Sequence, residues 1–155
     1  MKRLDMGLKL SIDPGTTREH PLGVCWWRDG VVLRAFSIPP KGKEFHDRCN
    51  HILAVLDQDV SYMVQQFAEP PTAVAIETFI KWAPPARQLA IRQLSFFSGR
   101  LYDRFTRAGI TPKYIDKGST PKSQARQLAI KYGVSTEDQD ACDALLVGFL
   151  AGFGS

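Results

Sequence analysis

The spacing of apolar residues changes part-way along this chain, and that change limits the folds open to it. Leu8, Leu10 and Ile12 alternate with Lys9 and Ser11, a strand pattern that Asp13-Pro14-Gly15 stops. Two further β-rich runs, LGVCWW (22–27) and VVLRAFSI (31–38), flank Asp29-Gly30 and read as a hairpin. Beyond PPKGK (39–43) the period lengthens. Phe45, Cys49, Ile52, Leu56, Val60, Met63 and Phe67 recur at three and four, which predicts an amphipathic helix from about 44 to 67. TAVAIET (72–78) then reads as a buried strand. A second helix follows Pro84-Pro85 and runs to about Ala108, with Leu89, Leu94, Phe97, Leu101, Tyr102 and Phe105 as its stripe. Pro112 to Ile115 suits a fifth strand, KSQARQLAIKY a third helix, and the segment after Ser135 a fourth. Three antiparallel strands followed by strand–helix alternation predict one α/β domain over 1–155: a five-stranded mixed sheet with helices packed on it.

The last helix carries the strongest anomaly. EDQDACDALLVGFLAG (137–152) packs its acids together and contains no Lys or Arg. With Ser135 and Asp138 as a capping box, Asp140 and Asp143 fall in the second turn, about 5–6 Å apart on one face. The helix dipole relieves only part of their repulsion. Asp13 ends the first strand, and Glu77 ends the fourth after an apolar run, a costly place for an unpaired charge. Singly, each acid has an ordinary explanation: a turn residue, a partner for Lys81, two solvated helix positions. If the first and fourth strands are neighbours, however, all four acids meet at one point. Such a cluster calls for about two divalent ions, the standard arrangement for in-line attack on a phosphodiester.

The charge distribution points the same way. Residues 80–134 hold eleven basic side chains against two acids, in a chain of net charge +4, which suggests a polyanionic partner. Cys25, Cys49 and Cys142 are odd in number and widely spaced, so they read as free thiols rather than a disulfide framework or a zinc site. The N-terminal segment lacks the apolar core of a secretory signal, and no run is long enough to span a membrane. A cytoplasmic setting, in a bacterium or a phage-infected host cell, is the expectation.

In this order and spacing, LSIDPGTT…LGV, AIET, KSQ and DACDALLVG resemble the RuvC family of Holliday junction resolvases, within the ribonuclease H-like superfamily. The resemblance spans Leu8 to about Ala151. It implies a ribonuclease H-like sheet with helices on both faces, and a metal-binding catalytic tetrad of Asp13, Glu77, Asp140 and Asp143. It further implies two Mg²⁺ ions, which Mn²⁺ can replace, and Lys122 as a lysine supporting DNA binding or phosphate chemistry. Phe79, Lys81 and Trp82 occupy the loop in which the family places a base-wedging aromatic. Arg87, Arg92, Lys117, Lys122 and Arg126 are candidate phosphate contacts. The implied protein is a homodimer, its second helix forming much of the interface, that nicks opposing strands of a four-way DNA junction. The nicks leave 5′-phosphate and 3′-hydroxyl ends.

Three departures are visible. The loop GTTREHPLGV lacks the usual Gly-Tyr, the segment from Lys117 to Lys122 is short, and little follows the last helix. This compactness is similar to phage-encoded relatives that cut branched DNA broadly. A RuvX/YqgF-like RNA-processing nuclease and a non-catalytic junction-binding protein are the remaining alternatives; the Asp-x-x-Asp pair and KSQ argue against the first, the complete set of acids against the second.

Overall fold

The computed structural model describes residues 7–78, 87–118, 120 and 122–155. Its elements follow the order β1 (Lys9–Asp13), β2 (Leu22–Arg28), β3 (Val31–Ile38), α1 (Phe45–Phe67), β4 (Ala73–Glu77), α2 (Gln88–Arg107), β5 (Lys113–Ile115), α3 (Lys122–Tyr132) and α4 (Gln139–Leu150). The strands form one mixed sheet in the order β3-β2-β1-β4-β5. β1, β2 and β3 pair antiparallel, and β1, β4 and β5 pair parallel. The Asp29-Gly30 turn has positive φ at both residues (55° and 78°), the twist that a two-residue hairpin requires.

Strand alternation divides the core between the two faces. Leu10, Ile12, Val24, Trp26, Val74 and Ile76 face α1 and α2, where they meet Ile52, Leu53, Leu56, Phe97 and Leu101. Cys25, Trp27 and Ala75 face α3 and α4, where they meet Ala125, Leu128, Leu145 and Val147. Trp26 and Trp27, adjacent on β2, are both fully buried, one per face. Each contributes at most about 4–6 kcal/mol of apolar transfer energy before entropy is charged against it. Their indole N–H groups are matched. Trp26 donates to Asp59 Oδ2 on α1 at 2.6 Å, and Trp27 donates to Ser11 Oγ at 2.9 Å.

Helix α4 lies unusually close to the sheet. Ser11 Oγ donates to the Ala144 carbonyl at 2.7 Å, so a strand side chain bonds helix backbone directly. Two glycines make room. A methyl group at Gly23 would overlap the carbonyl of Asp140, and one at Gly148 would overlap the Trp27 indole and the Ser11 hydroxyl. Gly23 pairs with Asp13 in the β1–β2 register, so the first turn of α4 comes down beside the end of β1. A strand-interior glycine that admits another backbone is a recognised use of the residue.

The start of α4 differs from the expected capping box. Asp138, not Ser135, is the N-cap: its Oδ1 accepts from Ala141 N–H at 3.0 Å, and its Oδ2 accepts from Ser37 Oγ at 2.8 Å. Ser135 Oγ instead accepts from Glu137 N–H, closing a turn outside the helix. A carboxylate at the cap interacts more favourably with the helix dipole than a hydroxyl does, and the Ser37 bond anchors it to β3. Asp140 therefore lies in the first turn, with Asp143 one turn further on.

The α2 stripe also departs from expectation. Phe97, Leu101 and Phe105 are buried, whereas Leu89 is 67% exposed. No helix among the described residues is long and apolar enough to cross a membrane. The three cysteines are free and buried.

Replacing Gly23 with Ala is expected to lower stability by about 1–3 kcal/mol, the usual cost of overpacking, because the opposing group is backbone and cannot rotate away. Urea denaturation midpoints of the two proteins check this, and an unchanged midpoint would contradict the close approach.

Candidate metal centre

Parallel strands β1, β4 and β5 finish at the same edge of the sheet, where ligand sites of open α/β sheets are usually found. Asp13 is the last residue of β1 and Glu77 the last of β4. Ile12 pairs with Ile76, so the two acids stand side by side. Asp13 has the parity of Ser11, and Glu77 that of Ala75, so both side chains lie on the α4 face. Glu77 is also in register with Ile115 of β5, and Thr78 N–H donates to the Ile115 carbonyl at 2.8 Å. Helix α4 supplies Asp140 and Asp143 to the same point. One ligand oxygen from each of Asp13, Asp140 and Asp143 lies within 4.8 Å of the others, a span suited to a cation between them. The carboxyl of Glu77 lies beside that of Asp13, and the Lys117 ammonium approaches both.

These four acids line a pocket of about 580 Å³ with the turn after β1 (Pro14 to Thr17), Glu19, His20, Ala90, Gln93 and Leu94 of α2, Lys117, Lys122 and Gln139. The four acids predicted from sequence thus meet in one place, and Lys122 joins them at the rim. Arg126, on the exposed side of α3, and Arg87, exposed next to α2, are not among the lining residues. Phe79, Lys81 and Trp82 lie outside the described residues.

The position of Lys117 was not anticipated. Its sequence assignment was to DNA phosphate, yet its ammonium lies among the acids, 3.2 Å from Glu77 Oε2, 3.8 Å from Asp13 Oδ1 and 4.0 Å from Asp143 Oδ1. The side chain is only 15% exposed. Hydrogen bonds on either side of it fix its backbone. Gly118 N–H donates to Asp116 Oδ1, and both the N–H and the hydroxyl of Thr120 donate to the Lys117 carbonyl. Lys117 follows β5 by two residues, so the parallel register is the signal that would have found it. His20 escaped notice for a different reason: it sits in an irregular turn with no period. Thr17 N–H bonds the His20 carbonyl and His20 N–H bonds Thr17 Oγ1, which holds it at the wall.

The electrostatics follow from burial. Desolvation pushes the Asp13 carboxyl well above the usual carboxylate range; the Glu77 contact adds to this and Lys117 opposes it. Burial, then repulsion from Asp138 and Asp143, raises Asp140 to about 6, with His20 giving partial relief. Burial works against a charged Lys117, but Asp13, Glu77 and Asp143 more than compensate and raise its value. Asp143 is oriented from a second side, since Gln139 Nε2 donates to its Oδ1 at 2.9 Å. Clustered carboxylates with oxygen donors, partly dry and mutually repelling, suit a hard divalent cation such as Mg²⁺.

Elsewhere the basic segment is partly neutralised. Arg104 makes a bidentate pair with Asp57, Arg107 bonds Asp103, and Arg100 donates to Asn50.

No protein-family model matches this chain, and no curated protein matches it in sequence. Solved structures do. Thermus thermophilus RuvC superimposes with a TM-score of 0.68 at 17% identity, covering 94% of this chain and 93% of that one. The same protein in complex with a Holliday junction substrate gives 0.66, also at 17% identity, covering 95% of this chain and 93% of that one. The chain has the fold of RuvC. The yeast mitochondrial Holliday junction resolvase Ydc2 is more distant, with a TM-score of 0.53 at 12% identity, covering 92% of this chain and 76% of that one. On this RuvC-like sheet the acids occupy the carboxyl ends of β1 and β4, with α4 laid across them.

The raised value of Asp140 has a consequence for stability. Its folded-state value, about 6, exceeds the ~3.9 of an Asp in an unfolded chain, so ionisation costs the metal-free fold more as pH rises across that interval. Asp140→Asn removes the cost. Its metal-free Tm is expected to rise by about 2–4 °C at pH of about 8 and to change little at pH of about 4. Calorimetric scans at both pH values measure it, and an equal shift at the two would contradict a titrating cause.

Proposed function

We propose that this chain is a metal-dependent endodeoxyribonuclease that nicks four-way DNA junctions, leaving 5′-phosphate and 3′-hydroxyl ends. The observation that carries this reading is the convergence of Asp13, Asp140 and Asp143, with Glu77 against Asp13, at the strand ends of a RuvC-like fold. Asp13, Asp140 and Asp143 would hold one divalent ion, and Glu77 with Asp13 a second. When bound, such ions supply Lewis-acid activation of the attacking water and neutralise charge on the leaving oxygen.

The chain's own groups do the remainder. Gln139 and the α4 cap fix the orientation of Asp143 and Asp140. Lys122, at the pocket rim on the first turn of α3, is placed to meet a phosphate oxygen as a point charge. Arg87 and Arg126, exposed and outside the ion pairs described above, are suited to backbone phosphates further along a duplex arm. Phe79, Lys81 and Trp82 come within five residues after Glu77 and are assigned here to the unpaired bases at the branch point, where stacking contributes about 1–3 kcal/mol per base. Paired symmetric nicking needs two such centres. A homodimer would supply them, and the exposed Leu89 and Phe96 on α2 support that assembly.

The test is a cleavage panel of four-way junctions, flaps, Y-forks and structured RNA with Mg²⁺ or Mn²⁺. Asp13→Asn, Glu77→Gln and Asp143→Asn are each expected to slow junction nicking by at least about a hundredfold, as loss of a metal ligand should at minimum match loss of its supporting groups. Junction affinity should stay within about threefold, since phosphate contacts dominate binding. Wild-type rates in Asp13→Asn would refute the assignment. Equal rates on flaps and forks would replace junction selectivity with a broad preference for branched DNA.

A further inference from the structure

The ammonium of Lys117 and a divalent ion lay claim to the same oxygens. Lys117 Nζ approaches Asp13 and Asp143, two of the three acids whose oxygens lie within 4.8 Å of one another, and comes closest to Glu77. The arrangement is built, not incidental. The lysine follows a strand whose last residue, Ile115, is in register with Glu77. Its carbonyl is held by Thr120, and Gly118 at φ 58° turns the chain tightly behind it. Its side chain is mostly enclosed. A second cation cannot settle on Asp13 and Asp143 with the ammonium still between them, because like charges at about 4 Å repel strongly in a partly dry site. The pocket offers somewhere to go: about 580 Å³ of space, which Lys122, assigned to phosphate, also lines.

We propose that Lys117 is the resident counter-ion of the metal-free site, and that a divalent cation binds by displacing its ammonium from Asp13, Glu77 and Asp143 into the open pocket. The inference rests on the reading of this pocket as a metal centre, and not on nuclease activity. It makes Lys117 an internal competitor. Without metal it holds Asp13, Glu77 and Asp143 together; with metal it is released to solvent or to a bound phosphate.

The full-length chain tests this without any cleavage assay. Mn²⁺ binding is measured by isothermal titration calorimetry on wild type, Lys117→Met, Lys117→Arg and Asp143→Asn, alongside the metal-free Tm of each. Lys117→Met should melt lower than wild type without metal, yet bind Mn²⁺ about threefold to tenfold more tightly, because its competitor is gone. A residue with a merely structural role would lower the Tm without tightening Mn²⁺. Lys117→Arg should keep the metal-free Tm near that of wild type. On wild type itself, acylation of Lys117 followed by peptide mass spectrometry should be slow without metal and several-fold faster at saturating Mn²⁺. Unchanged labelling at saturation, or unchanged or weaker Mn²⁺ affinity in Lys117→Met, overturns the proposal. Loss of Mn²⁺ binding in Asp143→Asn upholds the metal centre even then. Wild-type binding in Asp143→Asn, or no binding by wild type and Lys117→Met, overturns both.

Discussion

The close contact between α4 and the first two strands is the constraint on which the rest depends. Side chains ordinarily separate a helix from the sheet on which it packs. Here Gly23 and Gly148 remove the intervening atoms, and Ser11 bonds the Ala144 carbonyl directly. Trp27 bonds the same hydroxyl and packs against Gly148, Tyr132 and Phe153. The result is a rigid bearing between helix and sheet, with one acid pair fixed on each part. The geometry of the pocket is therefore set by the hydrophobic core beneath it, not by loops.

That rigidity sustains an electrostatic conflict. Burial raises the carboxyls of Asp13 and Asp140, so the metal-free fold holds groups that resist ionisation. A chain selected only for stability would replace them with apolar or amide side chains. Retaining them is understandable where a cation completes the site, and Lys117 supplies part of the compensation within the chain itself. Asp59 is a useful contrast. It too is buried and raised by desolvation, but the Trp26 indole and Arg34 satisfy it, and it faces the opposite layer. Asp59 holds α1 to the sheet, whereas the acids at the strand ends leave oxygens turned toward an open pocket.

The positive charge of the middle segment is divided by its partners. Arg104 is matched with Asp57 and Arg100 with Asn50, both on α1, which favours the packing of α2 on α1, while Arg107 is matched with Asp103 within α2 itself. Lys117 and Lys122 sit at the pocket, and Arg126 lies nearby on α3. An excess of charge along a sequence is thus a poor measure of a binding surface, because helical folding turns neighbouring residues toward different partners.

Period and punctuation in the sequence determined the elements and their order. The alternation of Leu8 to Ile12, the Asp29-Gly30 turn, the three-and-four spacing from Phe45 to Phe67 and the apolar run before Glu77 are local properties, and local sterics decide them. The candidate acids were legible for the same reason, since a charge at the end of an apolar strand is conspicuous wherever the strand is placed. The cap of α4 was misassigned to Ser135 because Ser135 and Asp138 both offer capping oxygens. Only the bond from Ser37 on β3, together with the path of the chain, selected Asp138. Leu89 matched the α2 pattern but is exposed, because a period gives a face and not the width of what covers it. Lys117 among the acids was a tertiary outcome altogether. It requires β5 to lie parallel beside β4, and strand pairing joins residues that no local signal connects. Chain chemistry named the groups; the sheet register and two missing side chains at Gly23 and Gly148 brought them within ion-pairing distance.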